Sequence, residues 1–219
     1  MTFSLLARDP KSGALGGASA TGNLCVGAWV LRATAGVGIS ASQGHFPSTL
    51  WGTQVLDEMQ RGLDPKSAIE RTTGPDGGRG SRQLLALDAF GRGAVFTGAQ
   101  NVTELSEVVL PDLCAAGNML SNVDVVDASI EGYVNCEGSL LHKLKRGLEA
   151  AAQAGGDARG LMSAAILIVS EDQPPVDLRV DYSEDAIGAL SDLIVRIEEP
   201  DYANWLRNLP TKSKPYPSR

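Results

Sequence analysis

Residues 2–21 have the sequence TFSLLARDPKSGALGGASAT, and this stretch decides the fold. Polar and apolar residues alternate over residues 2–8, which predicts a β-strand with one buried face. A proline and a glycine within residues 9–13 favour a tight turn. The small residues at 14–20 are typical of a return strand that another backbone can approach closely. The chain is therefore predicted to open with two antiparallel strands.

The remaining pattern comes in blocks of strands and blocks of helices. Strands or strand edges are predicted at residues 25–31, 37–43, 83–88, 94–97, 107–110, 113–116, 162–169 and 176–180. Apolar residues at helical spacing predict helices near 50–59, 65–72, 123–134, 139–154 and 187–197. This order differs from the strand–helix alternation of a parallel sheet, so it predicts an α+β domain with two mainly antiparallel sheets and outer helices.

The chain is expected to divide into one domain and a tail. The predicted strands and helices place the domain at residues 1–199. The tail at residues 200–219, which contains Pro, Lys and Arg, is expected to be extended or to pack on a second subunit. A homodimer is one arrangement that such a packing would give.

Composition limits the classes of function. With 219 residues, 43% hydrophobic and 21% charged, the chain has the composition of an ordinary globular domain. No apolar run reaches the roughly 18 residues of a membrane span, and the N-terminus lacks a secretory signal, so we expect a cytoplasmic protein that does not enter membranes. The net charge of −7 argues against nucleic acid as a partner. Three cysteines and two histidines without ligand spacing indicate neither a metal nor another cofactor.

Thr2 is the strongest candidate for chemistry. A threonine hydroxyl is a weak nucleophile unless a base removes its proton, and an N-terminal threonine can use its own α-amine as that base. Met1 precedes a small residue, so methionine removal would make Thr2 the N-terminal residue. The alternative is an ordinary Met-Thr start without catalytic meaning.

Several short motifs, in order along residues 2–195, resemble the DUF1028 family. They are TFS and ARDP at the N-terminus, RQL at 82–84, GNML at 117–120, GGDARG at 155–160, SAA at 163–165 and VDLRVD at 176–181. The resemblance implies a four-layer αββα sandwich of the N-terminal-nucleophile (Ntn) hydrolase type. It implies no particular substrate, because the family is one of unknown function.

The Ntn-type resemblance implies roles for individual residues. Thr2 would attack an amide carbonyl, and Asn118, preceded by Gly117, would donate to the oxyanion. The alternative for Gly117-Asn118 is a simple turn, because both residues tolerate positive φ. Three polar residues in and after the second strand are candidates to orient the nucleophile: Ser19, Thr21 and Asn23.

Two further residues are candidates for substrate binding. Gln43 could hydrogen-bond a substrate amide, or it could be a polar strand end that faces water. Arg82 could hold a carboxylate through two parallel hydrogen bonds, or it could form a surface ion pair. Residues 14–32 contain neither Asp nor Lys, which disfavours the peptidase chemistry of proteasome-type relatives.

Other nucleophiles rank below Thr2. His45 could act as a base for Ser40 or Ser42, but the chain has no GxSxG elbow. Cys25 lies between apolar residues and is expected to be a small buried side chain. The glycine-rich segment at 74–80 lacks the Lys-Ser/Thr ending of a phosphate loop.

Three functions from different classes remain open. The first is hydrolysis of an amide bond in a small molecule or peptide by Thr2. The alternative is a catalytically inactive member that binds a small ligand or a protein partner in the equivalent cleft. A third is a structural homo-oligomer. The sequence leaves open whether the chain is an enzyme.

Overall fold

The computed structural model describes residues 2–101 and 104–217. Within these residues the strands are β1 (Thr2–Arg8), β2 (Leu15–Thr21), β3 (Leu31–Thr34), β4 (Gly38–Gly44), β5 (Arg82–Asp88), β6 (Gly93–Thr97), β7 (Ser106–Leu110), β8 (Leu113–Asn118), β9 (Ser163–Val169) and β10 (Val176–Val180). The helices are α1 (Val26–Trp29), α2 (Trp51–Gln60), α3 (Pro65–Thr73), α4 (Asp124–Val134), α5 (Leu140–Gln153), α6 (Ala186–Ile197) and α7 (Pro200–Arg207).

The strands form two antiparallel sheets. The larger sheet has the order β10-β9-β2-β1-β8-β7, and the smaller has the order β3-β4-β5-β6. Strand β1 lies in the middle of the larger sheet, between β2 and β8. The register places Thr2 opposite Thr21 on one side and opposite Asn118 on the other. Paired residues of an antiparallel sheet share a face, so these three side chains belong to the same layer.

Helices cover the outer face of each sheet. Helices α4, α5 and α6 pack on the larger sheet, and α2 and α3 pack on the smaller one. The inner faces pack on each other through apolar residues such as Leu6, Ile39 and Leu85. This layering confirms the predicted four-layer αββα sandwich of two antiparallel sheets and outer helices. In the part of the chain described, no helix is both long and apolar enough to cross a bilayer.

Strand β1 is buried on both faces, although its alternation predicted only one buried face. Phe3 and Leu5 point to the helices. Thr2 and Ser4, on the opposite face, are also buried. The second sheet covers this polar face, and its hydroxyl groups bond to other protein groups instead of water.

The starts of two helices are capped by side chains close to them in sequence. Asp64 accepts hydrogen bonds from the backbone N–H groups of Lys66 and Ser67, and Pro65 takes the first turn of α3. The Ser48 hydroxyl accepts from the backbone N–H groups that lead into α2. Local sequence therefore fixes where the helices over the smaller sheet begin.

The strand predicted at residues 25–31 is wrong in its first part, which forms the short helix α1. Cys25, with φ of 60°, turns the chain, and its N–H donates to the carbonyl of Asp181. The N–H of Val26 donates to the hydroxyl of Ser163 at 3.1 Å. These bonds take the donors that a strand ladder would need, so the segment curls and only residues 31–34 pair as β3.

The expectation of an extended tail over residues 200–219 is also corrected, because the first part of the tail is helix α7. Pro200 lies in the first turn, where its missing N–H removes no helical bond. Arg207 lies in the last turn and complements the helix dipole. Farther along, Lys212 Nζ lies 2.7 Å from Glu171 Oε1, so the tail contacts the body of its own chain.

The packing of α5 on the larger sheet can be tested with Leu144→Ala. Leu144 is fully buried, and we expect a loss of about 2–5 kcal/mol in the free energy of unfolding, because the surroundings only partly fill the cavity. Leu50→Ala is the control: Leu50 is 63% exposed, and a change within about 0.5 kcal/mol is expected. Urea unfolding followed by circular dichroism measures both. Equal losses would contradict the placement of α5.

Candidate functional site

Thr2 opens on a cavity of about 520 Å³ at one end of the layer between the sheets. The cavity is bounded by the start of β1, the end of β2, the end of β4 and helix α1. The Thr2 Oγ1 hydroxyl donates to Thr21 Oγ1 at 3.2 Å. Thr2 is 9% exposed, so its side chain is enclosed yet borders the open space.

The walls of the cavity are largely apolar. Val26 and Trp29 come from α1, Leu24 from the segment before it, and Met119 from the segment after β8. Trp29 is 53% exposed and Leu24 is 51% exposed. A pocket with apolar walls and few polar groups is the usual form of a small-molecule site.

Backbone strain is concentrated around the cavity. Four described non-glycine residues have positive φ, and two of them, Cys25 and Met119, line the cavity with φ of 60° and 57°. Gly44 lines it with φ of 131°, and a Cβ there would lie 2.6 Å from the carbonyl oxygen of Ser81. Such conformations persist only where surrounding structure imposes them, and they cluster at functional sites.

A charged pair from the segment before β9 reaches the cavity. Arg159 lines it, with a side chain that is 46% exposed. The Arg159 Nη2 and Nε groups lie 3.1 and 3.2 Å from the two carboxylate oxygens of Asp157. The Asp157 side chain is fully buried and also accepts from the backbone N–H of Gly22 at 2.5 Å. The charged side chain at this cavity therefore comes from outside residues 14–32.

Gln43 is buried directly behind Thr2. Its Nε2 group donates to the Thr2 carbonyl at 3.3 Å, to the Ala116 carbonyl at 3.1 Å and to Gln83 Oε1 at 2.7 Å. Its Oε1 accepts from the Ser4 hydroxyl at 2.6 Å. Gln43 therefore faces neither water nor the cavity, and it joins the two sheets.

The hydrogen-bonded polar side chains between the sheets continue from Gln83 to β7, the strand at one edge of the larger sheet. Gln83 Nε2 donates to Thr97 Oγ1 at 2.9 Å, and Thr97 donates to Glu107 Oε2 at 2.7 Å. Gln83 Nε2 also lies 3.3 Å from the Gly117 carbonyl, and Asn118 Nδ2 donates to Gln83 Oε1 at 3.2 Å. Asn118 is fully buried, and its Oδ1 has no hydrogen-bond partner among the residues described.

All predicted site residues except Arg82 fall into two groups. Those that line the cavity are Thr2, Thr21 and Asn23. Those that are buried and do not line it are Ser19, Gln43, Gly117 and Asn118. Arg82 lies in neither group.

Arg82 borders a second cavity, of about 720 Å³, near α2 and α3. Its Nε lies 3.4 Å from Asp76 Oδ2, and its guanidinium stacks 5.5 Å from the centre of the Trp51 ring. Successive residues of a strand face opposite sides, so Gln83 points between the sheets and Arg82 points outward. The structure therefore does not bring Arg82 to Thr2, and the ion pair considered as the alternative is what it forms.

Ser40 and Ser42 do not assemble with His45. The Ser42 hydroxyl donates to the Ser48 carbonyl at 2.6 Å, and the Ser40 hydroxyl donates to the Gly52 carbonyl at 2.8 Å. His45 instead lines the cavity beside Thr2. The histidine is thus placed to contact a ligand and not to activate either serine.

Comparison with known proteins agrees with the motifs. The model of a family described as a family of unknown function, DUF1028, matches residues 2–190. The chain belongs to the DUF1028 family. It is similar to the DUF1028 protein SPO2555 from Silicibacter pomeroyi, with 44% identity, a TM-score of 0.94, and coverage of 99% of this chain and 98% of that one.

Weaker structural similarities of this DUF1028 chain are to two other proteins, each at 12% identity. HslV from Trypanosoma brucei has a TM-score of 0.48, with 76% of this chain and 98% of that chain covered. Anbu from Yersinia bercovieri has a TM-score of 0.44, with 89% and 96% covered. A search of curated proteins found no match.

Some cavity residues of this DUF1028 chain were not predicted as site residues. Arg159 and Met119 belong to the GGDARG and GNML motifs, which carried the family resemblance and could have indicated them. Trp29 gave no signal, because its segment was predicted to be a strand. Its position depends on the turn at Cys25.

The bridging role of Gln43 can be tested with Gln43→Leu. The change removes one buried hydrogen bond each from Ser4, Gln83 and the Thr2 carbonyl, and each lost bond costs about 0.5–1.5 kcal/mol. We expect a correspondingly lower urea midpoint. Gln54→Leu, on the exposed face of α2, is the matched control and should unfold like the parent chain. A Gln43→Leu protein as stable as that control would show that the bridge is unimportant.

The cysteines predict a pattern of alkylation. Burial raises the pKa of the Cys114 thiol to about 12, whereas Cys25 and Cys136 are partly exposed. Iodoacetamide reacts with thiolates, so in the folded DUF1028 chain it should modify Cys25 and Cys136 and spare Cys114. Peptide mass spectrometry before and after unfolding in urea measures this. Modification of Cys114 in the folded protein at the rate of Cys136 would contradict the burial.

Proposed function

We propose that this protein hydrolyses an amide bond of a small molecule or peptide, with Thr2 as an N-terminal nucleophile. The observation that supports the proposal is the position of Thr2. It is the first residue of a central strand and borders the cavity of about 520 Å³. Removal of Met1 is part of the proposal, because the free α-amine of Thr2 must act as the base.

The proposed reaction has two halves. In the first, the α-amine takes the proton of Thr2 Oγ1 while Oγ1 bonds to the amide carbon and the carbonyl electrons move to oxygen. The tetrahedral intermediate then re-forms the carbonyl and breaks the C–N bond, and the leaving amine takes the proton from the α-ammonium. In the second half, the α-amine of Thr2 takes a proton from a water molecule, and the resulting hydroxide attacks the ester carbon. The bond between that carbon and Oγ1 then breaks, Oγ1 takes the proton back from the α-ammonium, and the acid leaves.

The pKa of an α-amine supports its use as a base. Its usual value of about 8 leaves a neutral fraction near pH 7. The Thr2 hydroxyl is held by Thr21, and the Thr2 carbonyl is held by Gln43. These two bonds restrain both ends of the residue, which reduces the reorganisation needed for attack.

Asn118 fits a positioning role better than the oxyanion contact that the resemblance implied. It is fully buried, and its Nδ2 donates to Gln83, which in turn accepts from Gln43. We propose that Asn118 supports the start of β1 through this network, with Thr2 opposite it in register.

One observation favours the alternative of an inactive member that binds a ligand. The hydroxyl of Thr2 bonds to another hydroxyl, that of Thr21, and a hydroxyl is not a base at neutral pH. Without a free α-amine, the same cavity would bind a ligand without cleaving it. Methionine removal therefore separates the two functions.

The experiment begins with the intact mass of protein purified from its native cell. We expect loss of one methionine, and we expect this processed protein to cleave members of a library of N-acylated amino acids and short peptides, measured by mass spectrometry. Thr2→Ala should lower kcat by about 10³-fold or more, because the nucleophile is gone. Thr2→Ser should keep measurable activity.

The control is Thr53→Ala, an exposed threonine of α2, which should have the parent kcat. Complete retention of Met1 in the native protein would contradict the proposal. So would an unchanged kcat in Thr2→Ala. Ligand binding without turnover by processed protein would favour the inactive alternative.

A further inference from the structure

One cationic side chain lines the cavity beside Thr2 in this acidic protein. Of the described residues that line it, Arg159 alone carries a permanent charge, and none is Asp or Glu. The chain as a whole has a net charge of −7. A positive group in a concave site on an acidic surface concentrates the field that attracts a small anion.

Arg159 is held in a fixed orientation. Its Nε and Nη2 groups contact the two carboxylate oxygens of Asp157 at 3.2 and 3.1 Å, which fixes the plane of the guanidinium. Asp157 is fully buried, whereas 46% of the Arg159 side chain is exposed. An anion in the cavity therefore meets the guanidinium and is separated from the carboxylate.

Apolar surface lies in the same cavity as this cation. Trp29 and Leu24 are each about half exposed, and Val26 and Met119 complete the wall. Apolar side chains exposed in a concave site gain free energy when a ligand covers them, at about 25 cal/mol per Å² of apolar area. The ligand that uses both features has an apolar group and a negative charge.

We propose that the cavity selects N-acylated apolar amino acids with a free carboxylate, a class that includes the C-terminal residue of a short peptide. Arg159 is the specificity-determining residue, because its guanidinium receives the carboxylate, while Trp29 and Leu24 contact the apolar side chain. A volume of about 520 Å³ suits a ligand of this size. The inference rests on the proposed function, because the amide bond of this ligand is the bond that Thr2 would cleave. The preference for a carboxylate concerns binding and does not require cleavage.

The test compares two probes of nearly the same shape, the negatively charged N-acetyl-L-leucine and the neutral N-acetyl-L-leucinamide. Binding to the full chain carrying Thr2→Ala is measured by titration calorimetry, so that no turnover interferes. We expect the acid to bind about 10-fold tighter than the amide or more, because a hydrogen bond to a charged group is lost in the amide. Arg159→Gln should reduce this preference to about 2-fold or less.

Two further variants control the result. Arg61→Gln removes the same charge from an exposed residue of another cavity and should keep the full preference for the acid. Arg159→Lys keeps the charge but loses the paired contacts with Asp157 that fix the orientation of the guanidinium, so an intermediate preference for the acid is expected. Circular dichroism confirms that each variant is folded, and Arg159→Lys serves as the test if Arg159→Gln does not fold.

Three results would overturn the inference: equal affinity for the acid and the amide, an acid preference that stays at its full value in the Arg159 variants, or no binding of either probe at about 10 mM, a concentration that reveals even weak ligands. Failure of the proposed function is seen separately. An acid preference with no cleavage by protein that has lost Met1 would support the binding inference and reject hydrolysis.

Discussion

The hydrogen bonds of Gln43 across the space between the sheets are the contact on which the candidate site depends. Gln43 belongs to β4 of the smaller sheet, yet it holds the carbonyls of Thr2 and Ala116 in the larger one. A buried amide that satisfies several groups fixes the distance between two layers more specifically than apolar packing does. These bonds hold the start of β1 at a fixed distance from the smaller sheet, and the cavity lies beside it.

The hydrogen bonds of Gln43 lie behind Thr2, and the cavity beside Thr2 is lined by residues with a strained backbone and by a charged side chain. Cys25 and Met119 hold unfavourable backbone angles, and the buried Asp157 orients Arg159. Each feature costs stability locally, and the apolar layers between and outside the sheets supply the compensation. Concentration of such costs around one cavity supports a functional role for it more strongly than its size does.

Much of the fold could be predicted from the sequence, because its signals are local. The alternation in β1, the cap formed by Asp64 and the apolar spacing of α5 each act within a few residues. The helix α1 was missed because the bonds that bend it come from Ser163 and Asp181, far along the chain. Local patterns contain no information about such partners.

The candidate site was predictable only in part, for the same reason. Thr2 and Thr21 could be placed together by the hairpin of β1 and β2. The burial of Gln43 and Asn118 depends on the second sheet, and the outward direction of Arg82 depends on the register of β5. Arg159 reaches the cavity because β9, the strand that follows it, pairs with β2. The sequence of neither strand alone predicts that pairing.

The central position of β1 has a consequence for synthesis of the chain. Strand β1 pairs with β8, and the cavity is lined by Arg159, which lies 157 positions after Thr2. Contacts between such distant positions form after the local hairpins, because closing a long loop costs entropy. The segment that carries Thr2 is therefore translated well before the residues that enclose it, and the complete pocket exists only once Arg159 has also been translated.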